Sequence, residues 1–120
     1  MTYEKLQLKN RREKQVKKLK VNPGVCGLET VITVVSEDGS EAEVSVESKC
    51  PAVKKMIESL EQPVDAFEAC FVKPGNGPVY EAAENLNHGA CPVPSAVLKC
   101  IEAECNLALP KGVSMEYITE

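Results

Sequence analysis

Two stretches of the chain alternate between apolar and polar residues. In LETVITVV, residues Leu28, Thr30, Ile32 and Val34 fall on one face of a run rich in β-branched side chains. Ala42, Val44 and Val46 repeat the pattern against Glu41, Glu43, Ser45 and Glu47. Between the two runs lies Glu37-Asp38-Gly39-Ser40, whose Asp-Gly pair suits the positive φ of a hairpin turn. The pattern predicts an antiparallel hairpin with one buried face. A first strand is predicted in QVKKLKV, from Gln15, closed by the turn Asn22-Pro23-Gly24. A last strand is predicted over Val113–Ile118, after Pro110-Lys111-Gly112.

Helical spacing takes over at Pro51, a residue tolerated at a first helical position because no N–H is needed there. Val53, Met56, Ile57 and Leu60 then share a face, and Pro63 closes that segment. Asp65 is placed to cap a short helix through Cys70 or Phe71. A third helix is predicted from Val79 to about Leu86, ended by Asn87-His88-Gly89, and a fourth from Ser95 to about Cys105 behind Pro92 and Pro94. The expected fold is α+β: a small mixed or antiparallel sheet, built of the hairpin and one or two further strands, with three to four helices packed on it.

Composition supports one core without identifying a function. The 120 residues are 43% hydrophobic and 27% charged, which suits a globular chain of one-domain size. No composition break divides residues 15–120, read as one domain, whereas residues 1–14 read as a basic, flexible segment. Residues 1–20 carry a balance of +6 and residues 21–120 a balance of −10. The basic segment can contact an acidic partner, which would make the chain a protein-interaction module. The acidic body has no basic groove and few aromatics, which argues against nucleic acid. No apolar run is long enough to span a membrane, and the N-terminus lacks the apolar segment of an export signal. With six cysteines, that points to the reducing cytoplasm and to free or metal-bound thiols.

The thiols are the distinctive chemistry. Cys50-Pro51 and Cys91-Pro92 each precede a predicted helix, where unpaired N–H groups and the helix dipole favour thiolate. Cys26 lies in Gly24-Val25-Cys26-Gly27, where flanking glycines allow close approach of the backbone. The only histidine, His88, stands three positions before Cys91. Cys26, Cys50, His88 and Cys91 together would form a Cys₃His set suited to zinc or an iron–sulfur cluster, in a domain with no catalysis of its own. Alternatively, Cys91 is the nucleophile of a thiol relay or sulfur carrier, with Cys50 resolving it. Cys70, Cys100 and Cys105 sit at helical spacing with apolar neighbours and read as packing. Acidic pairs such as Glu41/Glu43 and Glu102/Glu104 read as solvated faces. No hydrolytic triad or phosphate-binding loop is present in the sequence pattern.

The stretches VNPGVCG, SKCPAVKKM, HGACPVPSAVLK and LALPK resemble an uncharacterised family of small cysteine-containing domains of anaerobic bacteria and archaea. The resemblance covers about residues 15–118 and implies a prokaryotic source but no activity. Cys91-Pro92-Val93-Pro94 looks like the CPxP motif of TusA-type sulfur carriers, whose cysteine holds a persulfide. In that family the motif follows the first strand, whereas here it comes late in the chain.

Overall fold

The computed structural model describes residues 17–119, so the basic segment 1–14 lies outside the described residues. Strands β1 (Lys17–Val21), β2 (Thr30–Val35) and β3 (Glu41–Ser48) form where the alternating residues lie. β1 pairs with β2 and β2 with β3, both antiparallel, setting Leu19 opposite Ile32 and Ile32 opposite Val46. One face of the sheet carries Val21, Thr30, Ile32, Val34, Ala42 and Val44, all buried. Lys18, Lys20, Glu43 and Glu47 alternate onto the other face and are exposed. The period-two pattern therefore dictates which side receives the helices.

Helix α1 (Pro51–Ser59) begins with Pro51 and buries Val53 and Met56 against β3. It ends before the expected Pro63, because Leu60 is extended and its buried side chain leaves the helical path. A fourth strand, β4 (Val64–Asp65), pairs antiparallel with Glu41 and Ala42 and completes the order β1-β2-β3-β4. Two residues are too few to show a period, so alternation could not reveal it. Beyond β4, the edge of β3 is occupied by a side chain. Val44 N donates to Gln62 Oε1 at 2.6 Å, and Gln62 Nε2 donates to Val44 O at 2.8 Å.

Helix α2 (Ala66–Cys70) is capped by Asp65, whose Oδ1 accepts from Phe67 N at 2.9 Å and Glu68 N at 3.1 Å. Helix α3 (Pro78–Ala82) is followed by a 3₁₀ turn at Ala83–Asn85, within the segment expected to be one helix. Gly77, at φ +90°, admits no side chain: a Cβ there would lie 3.0 Å from Glu68 O and Val72 Cγ2. Helix α4 (Val93–Glu104) starts two residues earlier than expected. Pro92 is its N-cap, and Pro94 stands in the first turn, where an amide has no helical partner to lose. Val97, Cys100 and Ile101 of α4 are buried and join Val53 and Met56 in one core. Each fully buried Val, Ile or Met contributes about 1.5–3 kcal/mol relative to exposure.

The expected strand at Val113–Ile118 does not form. Asn106 adopts φ +59° after α4, and Leu107 and Ala108 both donate to Glu102 O, at 2.8 and 3.2 Å. From there the chain has no regular secondary structure, with Val113, Met115, Tyr117 and Ile118 exposed. Alternation alone makes no strand without an edge to pair with.

Candidate functional site

Two backbone junctions and one turn carry the accessible thiols. Cys26 is exposed in the turn between β1 and β2, where Gly27 N donates to Gly24 O at 3.0 Å and both glycines hold positive φ. Cys50 is the N-cap of α1: its carbonyl accepts from Lys54 N at 3.2 Å, and its own N–H donates to Ser48 Oγ at 3.1 Å. Its sulfur caps nothing. Cys91 lies one residue before the N-cap Pro92, and its N–H donates to His88 O at 3.3 Å. Cys50 and Cys91 are half-buried and touch the core, whereas His88 is exposed.

The topology directs these junctions to one end of the sheet. Val21 pairs with Thr30 and Thr30 with Ser48, so the turn of Cys26 and the start of α1 share that end. Cys100 Sγ lies 3.9 Å from Ile32 O, and Glu104 Oε2 accepts from Ser36 N at 2.9 Å. Helix α4 therefore runs in the same direction as β2, and its N-terminus, preceded by Cys91, points toward the same end. Shared location is not coordination. Among the described residues, no three His, Cys, Asp or Glu side chains group so as to hold a metal ion. The set Cys26, Cys50, His88 and Cys91 is thus not assembled, because its members sit on separate loops and junctions.

Of the other three thiols, Cys100 and Cys105 are buried, and Cys70 is half-buried like Cys50 and Cys91. Cys70 donates weakly to Leu98 O at 3.9 Å, and burial, with the nearby Glu102 carboxylate and Cys105, pushes it up to about 12. Cys100 lies 3.4 Å from Lys17 O, and burial followed by the Glu104 charge pushes it up to about 11. Burial also raises Cys105. Thiols held protonated in this way are poor nucleophiles and poor metal ligands.

Glu104 corrects the expectation of a solvated acidic pair. It is 1% exposed, and its Oε1 has no hydrogen-bond partner. Burial raises its pKa, against the lowering effect of Ser36 N–H and Lys17. The signal was available in the helical spacing: Glu104 follows Val97 and Cys100 by seven and four positions on the buried face. What it lacked was the identity of the acceptor's partner, a backbone amide sixty-eight positions away.

No helix among the described residues is long and apolar enough to cross a membrane. A family model described as a family of unknown function (DUF6951) matches residues 17–117. No curated protein and no solved structure matches the chain. The chain belongs to the DUF6951 family, whose extent agrees with the uncharacterised family expected from the sequence.

Proposed function

We propose that this member of a family without an assigned function is a thiol relay or sulfur carrier, with Cys91 as nucleophile and Cys50 as its resolving partner. The observation that supports the reading is the uncapped start of α1. Asp65 caps α2 with two hydrogen bonds, so the chain can satisfy a helix start through a side chain. At the longer α1, a cysteine stands in that position and its sulfur bonds to no amide. Serine there would suit the helix better. Local rules of stability are set aside most often where a side chain serves another purpose.

The chemistry balances with a persulfide donor. The Cys91 thiolate attacks the outer sulfur of the donor, the donor leaves as a thiolate, and Cys91 retains the transferred sulfur as a persulfide. Cys50 thiolate then attacks the inner sulfur, expelling hydrosulfide and forming a Cys50–Cys91 disulfide. A dithiol reductant restores both thiols. The reading sets the protein in a reducing cytoplasm, consistent with six free cysteines. Its test is to treat the reduced chain with cysteine persulfide and locate the added sulfur by mass spectrometry. In Cys50→Ser one sulfur should remain on Cys91 without hydrosulfide release, whereas the wild-type chain should release hydrosulfide and form the Cys50–Cys91 disulfide. No added sulfur on Cys91 of Cys50→Ser, or equal labelling of Cys26, contradicts the reading.

A second reading is supported by the shared end of the sheet. Cys26, Cys50, His88 and Cys91 would bind zinc or an iron–sulfur cluster after their loops close on the ion. Stoichiometric zinc or iron in anaerobically purified protein is its expected signature. Its loss in the Cys50→Ala/Cys91→Ala double variant is the accompanying control.

A further inference from the structure

The exposed C-terminal segment is a strand pattern without a strand partner. Val113, Met115 and Tyr117 alternate with Ser114, Glu116 and Ile118. Val113 is 71% exposed, Met115 84% and Tyr117 106%. Water-exposed alternation of this kind suits pairing along a sheet edge, where backbone groups and one face of side chains are satisfied together.

The sheet presents unequal edges. At one, β4 pairs with the start of β3, and the Gln62 side chain occupies both backbone groups of Val44. At the other, β1 has β2 as its one strand neighbour among the described residues, and its first residue, Lys17, is already met by a side chain of α4, Cys100 Sγ lying 3.4 Å from its carbonyl. β1 also matches the tail in side-chain chemistry. Leu19 and Val21 point to the core face, and Lys18 and Lys20 point to the opposite face. Lys20 is engaged by Glu29 at 3.4 Å, which leaves Lys18 as the cation suited to an incoming carboxylate.

We propose that residues 113–118 pair with the β1 edge of a second copy of this chain, in a reciprocal exchange that forms a two-fold dimer. An antiparallel register with Glu116 opposite Lys18 sets Met115 against Leu19 and Val113 against Val21. One register thus satisfies charge on the outer face and apolar contact on the inner face. Pairing of opposite charges directly across strands favours this register, and like charges there oppose it. The occupant is a second copy because the tail's apolar residues stand clear of their own sheet, while the same chain supplies the complementary strand. A reciprocal arrangement closes after two subunits and leaves no tail unpaired.

The test is sedimentation equilibrium of the full chain under reducing conditions at low salt. The wild-type chain should form a dimer that weakens as salt rises. Glu116→Lys and Lys18→Glu should each weaken self-association at least tenfold, and an equimolar mixture of the two variants should restore a dimer containing one of each. Met115→Asp should also dissociate the dimer, while circular dichroism shows an unchanged fold. A wild-type monomer overturns the proposal, including one whose tail amides are protected by folding onto their own β1. A dimer indifferent to Glu116→Lys and Lys18→Glu overturns it as well.

Discussion

The two ends of the sheet treat the same residue type in opposite ways. At one end, the β1–β2 turn, the start of α1 and the approach to α4 leave Cys26 exposed and Cys50 and Cys91 half-buried. Toward the other end, the last turns of α4 run beneath the β2–β3 hairpin. Cys100 and Cys105 are buried there beside Glu104. The difference teaches that a cysteine's chemistry follows its position on an element. A thiol in the turn or at these helix starts keeps some access to solvent, whereas a thiol on the inward face of α4 or at its C-cap becomes a small apolar group with a raised pKa.

The largest effect belongs to the closed end. Glu104→Ala removes the acceptor of Ser36 N–H beneath the hairpin and should lower unfolding free energy by about 1–3 kcal/mol. Equilibrium denaturation measures it. Glu104→Gln keeps an acceptor and removes the charge, so it should be tolerated better than Ala. It should also change the pH dependence. A carboxyl whose folded pKa is raised binds more protons when folded than when unfolded. Its contribution is therefore complete below its ordinary value of 4.5 and is lost as pH rises through the folded value. The wild-type chain should lose that increment on going from acid toward neutral pH, and Glu104→Gln should not.

A smaller effect, opposite in sign, is expected where the sheet is open. Cys50→Ser places a hydroxyl at the uncapped start of α1 and should raise stability by about 0.5–1 kcal/mol. The same substitution should stop release of hydrosulfide from the Cys91 persulfide. Stability gained with function lost would mark Cys50 as a working residue. The smallest effect is expected at Cys26, exposed in its turn, where Cys26→Ser should change stability by less than about 0.5 kcal/mol. A large loss there would mean that the open end is held together by its thiols.

Much of the fold was legible because patterning and capping are local. The faces of β2 and β3, Pro51 at the first turn of α1 and Asp65 at the start of α2 all follow from neighbours in sequence. What was not legible depended on distant partners. β4 exists because Val64 meets Ala42, and the Gln62 side chain closes the same edge through Val44. The strand expected at Val113–Ile118 does not form: the alternation is there, but the segment pairs with no strand of its own sheet. At the candidate site, the positions of Cys26, Cys50 and Cys91 at element ends were readable, and so was the packing of Cys100. Whether four donors on separate loops meet is a tertiary fact, and here no three of them do.

The most direct measurement is the rate of iodoacetamide labelling at each cysteine of the native, reduced, metal-free chain at neutral pH, resolved by peptide mass spectrometry. The account predicts that Cys91 reacts faster than free cysteine despite its partial burial. Cys70, Cys100 and Cys105 should remain unlabelled until the protein is denatured. Labelling of Cys91 no faster than Cys100, or ranking of all six by exposure alone, would contradict it.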